Sequence, residues 1–245
     1  MSITEKSLTA AIWRCALVML LAIAFGYIEA AVVVYLRQIF HPTGFTFPLA
    51  SFPLTAESRS MVIVEVGREA ATLVLIFCAA YLSGHNRRQR LAYFLIIFAV
   101  WDIFYYVWLW VILGWPGSIM DWDVLFLIPF PWAGPVLAPV LVSLMMLVLA
   151  ALVLYRDFYD PSSPKGFAEA SRPIINITLW DWAVYCISGL LIITSFCLAG
   201  KYMQSADYAT HFSWPVFSAG LLAACVASAR WICKKELPRR NESGS

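Results

Sequence analysis

Along the chain, long apolar stretches alternate with short polar ones, and the apolar stretches are the length of membrane-crossing helices. A helix needs roughly 20 residues to cross the ~30 Å hydrocarbon layer. Six runs meet that length, at about 10–36, 60–82, 91–113, 133–155, 180–199 and 212–232. Between the third and fourth lies 114–132, where prolines, three tryptophans and Asp121 and Asp123 break an otherwise apolar stretch. Tryptophan prefers the headgroup level, so this segment predicts an interfacial or re-entrant piece. A polar linker covers 156–178. The expected fold is all-α, a single membrane domain over 1–245 with six transmembrane helices. The first run continues past any short signal-peptide core to Leu36, which predicts an uncleaved span.

The second run departs from the others. Within Met61–Ile76 it carries Glu65, Arg68, Glu69 and Thr72, spaced i, i+3, i+4 and i+7, which puts them on one helix face. Ionisable groups at membrane depth are costly and turn toward a bundle interior or a watery cavity. That stripe is the main functional clue in the sequence.

Composition agrees with a membrane class: 62% of the 245 residues are hydrophobic and 13% charged, with mean hydropathy +0.76. Unbroken apolar runs exclude an outer-membrane barrel, whose strands alternate. Orientation follows from the basic residues, which accumulate on the cytoplasmic side. With the N-terminus inside, the inner side holds Lys6, Arg14, Arg87, Arg88, Arg90, Arg156, Lys165, Arg172, Arg230, Lys234, Lys235, Arg239 and Arg240. The outer side then holds only Arg37, Arg59 and Lys201, and Arg68 lies at membrane depth. Both termini are expected inside, in a cell membrane, with a bacterial inner membrane as the expected setting. The net charge of +2 sits in short loops beside membrane helices, so it points to the bilayer and not to nucleic acid.

On this topology Glu29, Glu65, Glu69 and Asp102 fall on three helices, in the outer half of the membrane. Tyr105 and Tyr106 lie one turn beyond Asp102, and Asp123 lies on the outer side. The expectation is an outward-facing polar pocket, with 114–132 as a lid. Four carboxylates against Arg68 leave an excess negative charge, and protons or a bound cation must compensate it. Glu29, Glu65, Arg68, Glu69, Asp102, Tyr105, Tyr106 and Asp123 are therefore the expected ligand- or proton-binding residues. Glu69 and Asp102 are the candidate catalytic acids or bases. Glu29, Glu65, Glu69 and Asp102 are also candidate ligands for a hard divalent cation, since such ions take oxygen donors.

The remaining signals are bland. His41, His85 and His211 have neither haem nor metal spacing, though His41 lies on the side of the cluster. The six cysteines form no CxxC and read as packing residues. Ser143, Ser188, Ser195, Ser218 and Ser228 read as helix-packing residues. Trp108, Trp110, Trp115, Trp122 and Trp132 read as an anchoring belt, and spans five and six as a scaffold or oligomer contact. Three functions fit these observations. The first is a carrier-like protein binding a cation, protons or a small ligand. The second is an intramembrane enzyme using acid/base chemistry on an outer-leaflet lipid or isoprenoid-type substrate. The third is a non-catalytic subunit of a larger membrane complex, such as a quinone-linked one.

Overall fold

The computed structural model describes residues 3–42, 44–49, 56–159 and 178–233. The linker residues Lys165 and Arg172 and the tail residues Lys234, Lys235, Arg239 and Arg240 lie outside the described residues. The chain is mostly helical, with α1 (Ile3–Phe40), α2 (Ala56–Ser83), α3 (Arg87–Leu113), α4 (Leu137–Tyr159), α5 (Leu179–Gly200) and α6 (Trp214–Cys233). Between α3 and α4 stand two short strands, β1 (Trp122–Phe126) and β2 (Trp132–Pro135).

Five of these helices, α1 and α3 to α6, are long and apolar enough to cross a membrane. That suits a multi-pass membrane protein. The second helix is as long but carries Arg59, Glu65, Arg68 and Glu69 in its first half. Its outward side is nonetheless apolar, with Ile63 71%, Val64 67%, Val74 60% and Leu82 85% exposed.

The all-α expectation is corrected by the hairpin. β1 and β2 pair antiparallel, with Trp122 opposite Pro135, Asp123 opposite Gly134 and Val124 opposite Ala133. A register shift between Val124 and Phe126 then sets Phe126 opposite Trp132. The fourth helix accordingly begins at Leu137 and not near 133, because 132–135 is paired as strand. Its entry is held by Val136 N–H donating to the Asp121 carbonyl at 2.9 Å and Leu137 N–H to the Ile119 carbonyl at 2.8 Å.

Local chemistry fixes the helix ends. The Asn86 side chain caps α3 by accepting from the Gln89 N–H at 2.8 Å, satisfying one of the first-turn donors that lack a partner within the helix. Gly114, at φ 65°, ends α3 in the left-handed conformation and returns its N–H to the Trp110 carbonyl, a turn that favours glycine. Thr178 and Asp181 form a reciprocal capping box at the start of α5.

The helix with the most buried positions is α3, which packs against α1, α2 and α4. Against α1 the approach is close because Ala22, Gly26 and Ala30 follow each other at i+4 on the facing side. Ala22 and Ala30 are 0% exposed, and a Cβ on Gly26 would lie 3.0 Å from the Trp101 carbonyl oxygen. Small residues at such a seam let backbones approach and gain dispersion contacts without needing a hydrophobic drive. The fifth and sixth helices pair with each other, and α5 also packs on β2. Gly200 permits that contact, since a Cβ there would fall 1.9 Å from the Pro131 carbonyl oxygen. The hairpin is thus inserted among the helices.

Candidate functional site

The stripe on α2 faces inward as its periodicity predicts. Glu69 and Thr72 are each 5% exposed, and Ile76 and Ala80 continue the buried face below them. Opposite lies α1, and Arg68 joins the two helices. Its Nη1 donates to Glu29 Oε2, while its Nε donates to Glu65 at 3.0 Å. One guanidinium therefore neutralises one of two carboxylates and holds both in place. The planar fork of arginine suits this double duty.

The other two carboxylates of the stripe's neighbourhood form no ion pair among the described residues. Glu69 turns away from Arg68 and accepts the Leu127 N–H, at 2.9 Å to Oε2 and 3.1 Å to Oε1. Leu127 directly follows β1, so this bond ties the hairpin loop to α2. Asp102, on α3, accepts from Ser143 Oγ on α4 at 2.8 Å. Ser143, expected to pack between helices, does so with a hydrogen bond from α4 to α3. Its fellows Ser188, Ser195 and Ser228 do donate to backbone carbonyls.

A second ion pair anchors the hairpin. Arg37, read from the sequence as a loop marker of orientation, is 8% exposed and donates from Nη2 to Asp123 Oδ1 at 3.0 Å. Asp123, 2% exposed, also accepts from the Tyr105 hydroxyl at 2.9 Å. The guanidinium lies 3.9 Å from the Phe45 ring centroid and 3.8 Å from that of Trp115. Such sandwiching favours a cation where water is scarce. Sequence reasoning missed this role for Arg37. Nothing in the sequence marks it, because the burial of Asp123, which demands a counter-charge, shows only in the structure.

The α2 stripe and Asp102 border a cavity of about 420 Å3. Its lining includes Glu29, Glu65, Arg68, Glu69, Asp102, Tyr105 and Tyr106, seven of the eight residues expected to bind a ligand or protons. The eighth, Asp123, reaches it only through Tyr105. Most of the remaining lining is apolar and aromatic, including Phe94, Phe98, Phe126, Met145, Leu149 and Ile192. Along α3 the lining runs from Phe94 to Tyr106, a rise of roughly 18 Å at 1.5 Å per residue. Along α3 itself, Asp102, Tyr105 and Tyr106 stand at one end of that run and the apolar Phe94, Leu95 and Phe98 at the other.

Spans five and six, expected as a scaffold or oligomer contact, also contribute to this lining. Tyr185 and Ser188 of α5 and Ala224 and Ser228 of α6 form part of the wall, and Tyr185 and Ser228 hydrogen-bond to each other at 3.0 Å. The anchoring belt is corrected. Trp110 is 62% exposed, whereas Trp122 is 8% exposed and packs inside. Trp108 donates to the Ile23 carbonyl at 3.1 Å, Trp115 covers Arg37, and Trp132 lines the cavity. Asp121 serves its own turn, accepting from Gly117 and Ser118 N–H groups.

Among the described residues, no three His, Cys, Asp or Glu side chains converge closely enough to hold a metal ion. The four candidate ligands are drawn apart by Arg68, Leu127 and Ser143. His41 does not join the cluster. It packs edge-on to Phe45 at 5.5 Å and borders a separate hollow with Arg37 and Trp115. Partial burial, and then the positive charge of Arg37, hold its imidazole below the usual histidine range.

Comparison with protein-family models, curated proteins and solved structures finds no match.

Proposed function

We propose that this protein is a six-span membrane protein, with both termini on the inner side, whose intramembrane cavity binds an amphipathic ligand. The observation that carries the reading is one cavity that joins a charged cluster to extensive apolar and aromatic wall. A bare cation needs converging oxygen ligands and has little use for aromatic and aliphatic walls. A lipid-soluble molecule uses both parts, its head against Glu29, Arg68, Glu69 and Asp102 and its body along Phe94, Phe98, Met145 and Leu149. Sites for small organic ligands have this composition, mostly apolar with a few placed polar groups.

The second helix counts as the sixth span in this reading. Its apolar outward side would face lipid and its charges face the cavity, which is how ionisable residues sit in transmembrane bundles. Counting it places the charged cluster in the outer half of the membrane and Arg87, Arg88, Arg90 and Arg156 at the inner side. The basic residues of the linker and tail support the same orientation from the sequence.

Binding is the core of the reading, and acid/base chemistry is its extension. Glu69 and Asp102 are the cavity-lining carboxylates that no cation bridges among the described residues. They are the groups able to exchange a proton with a bound molecule, as general acid or base in an enzyme or as proton carriers in a transporter. The structure of the bound molecule decides between these.

Native mass spectrometry of the full chain, purified in mild detergent, tests the reading. A co-purifying amphipathic molecule is expected on the wild-type protein and lost, or reduced at least about fivefold, in Glu69→Gln and Asp102→Asn variants that still fold. Equal retention in all three would reject the cavity as the binding site.

A further inference from the structure

The arginines at the end of the bundle opposite the hairpin fall into two sets. Those toward α4, α5 and α6 have protein partners. Arg88 lies 4.0 Å from Asp157, Arg230 lies 3.6 Å from Asp181, and Arg156 donates to the Trp231 carbonyl at 3.0 Å. Arg14 of α1 and Arg87 and Arg90 of α3 form no ion pair among the described residues. These three like charges are nonetheless gathered on one side. Arg87 and Arg90 share a face of α3 at i, i+3. Arg14 lies beside Tyr93, one turn further along α3. Partial burial, and then the nearby charges of Arg14 and Arg90, hold the His85 imidazole below the usual histidine range. A fold that collects like charges and supplies no carboxylate builds a positive local potential, which draws an anion.

Arg90 is fixed in a particular pose. Its Nε donates to the Gly84 carbonyl at 3.1 Å, and its guanidinium lies 3.7 Å from the Tyr81 ring centroid. Gly84 makes room for that approach, since a Cβ there would fall 2.5 Å from Arg90 N and 2.7 Å from its Cγ. The Gly84 carbonyl takes the Nε edge and Tyr81 takes one face. The two terminal nitrogens find no acceptor among the described residues. A guanidinium held this way is a rigid fork, the geometry that matches two oxygens of a phosphate. On the proposed orientation the patch lies where the inner leaflet meets water, and anionic lipids concentrate there. We propose that Arg14, Arg87 and Arg90 form a phosphate site filled by the headgroup of an anionic phospholipid, with Arg90 as the fork and the other two supplying charge. The site is separate from the cavity and stands whatever the cavity binds.

The test uses the full chain in mild detergent, titrated with phosphatidylglycerol or phosphatidylcholine by native mass spectrometry and with radiolabelled inorganic phosphate by equilibrium dialysis. Wild type should bind phosphatidylglycerol more tightly than phosphatidylcholine. Arg90→Gln should weaken phosphatidylglycerol binding about fivefold, the worth of one basic residue near an anionic surface. Arg90→Lys should fall between the two, because it keeps the charge and loses the fork. Arg87 is exposed, so Arg87→Gln, with an expected loss of about threefold, carries the test if Arg90→Gln fails to fold. Arg230→Gln, where the wild-type side chain is 54% exposed, should leave binding unchanged. Inorganic phosphate binding that is lost in Arg90→Gln, without preference between the two lipids, supports the phosphate site with a soluble source. Equal losses in Arg230→Gln and Arg90→Gln would mean a diffuse attraction to the basic side and overturn the proposal. Binding unchanged in both Arg90→Gln and Arg87→Gln overturns it as well, as does a wild type with neither the lipid preference nor phosphate binding.

Discussion

The Arg37–Asp123 pair is the fastening of the hairpin, and its removal should be costly in a specific pattern. The two side chains are 9% and 3% exposed with N···O at 3.0 Å. At an effective dielectric near 20, opposite unit charges at that separation attract by about 5 kcal/mol. Burying both charges offsets much of this, so the net worth of the pair is smaller. Removing one partner is different, because it strands the other charge. Arg37→Gln and Asp123→Asn should therefore each destabilise by about 3–5 kcal/mol. Arg37→Gln also gives up the stacking on Phe45 and Trp115, so it should be the worse of the two. The double variant leaves no stranded charge and should cost less than the sum of the singles by more than about 1 kcal/mol. Reversible unfolding in mixed micelles with increasing denaturing detergent measures all three. Additive costs, or a single-variant cost under about 1 kcal/mol, would refute a buried and desolvated pair.

Two further outcomes follow from local geometry. Gly26→Leu should destabilise by about 1–3 kcal/mol or more by overpacking the seam, since even a Cβ would meet the α3 backbone. Gly67→Ala, where a Cβ meets nothing within 4 Å, should instead stabilise by about 0.5–1 kcal/mol through helix propensity; thermal unfolding in detergent separates them. At His41 the fold favours the neutral ring, held below the usual histidine range by burial and then Arg37. Its contribution to stability is complete above the unfolded histidine range and declines as pH falls through it. His41→Gln should flatten the acid side of the stability profile, and an unchanged profile would contradict the assignment.

How much of this was legible in the sequence varies by residue. The inward stripe of α2 was legible because helical periodicity alone sets which residues share a face. Seven of the eight residues named from the sequence line one cavity, a shared location that says nothing yet of what they bind. The ion pairs were less legible. Charge counting found the excess of carboxylates, but which one Arg68 would hold depends on how α1 crosses α2. Ser143 looked like a packing serine because its partner, Asp102, lies on another helix. Arg37 looked like a loop residue because its partner lies 86 positions away. The hairpin was missed because its two strands are short and rich in tryptophan and proline. The central place of α3 left no mark either, since a helix contacted on several sides is simply apolar all round.

On the proposed six-span orientation, the cavity opens to the outer side with its charged residues nearest the entrance. Val33 lines it one turn beyond Glu29 on α1, and Met145 lines the apolar part on α4. Cysteine placed at either position, in a chain whose native cysteines are replaced, can be challenged with a charged, membrane-impermeant thiol reagent. With reagent added only to the outer face of oriented membranes, Val33→Cys should be modified readily and Met145→Cys at least about tenfold more slowly, and bound amphiphile should protect Val33→Cys. Modification of Val33→Cys only from the inner face, or equal rates at both positions, would contradict the account.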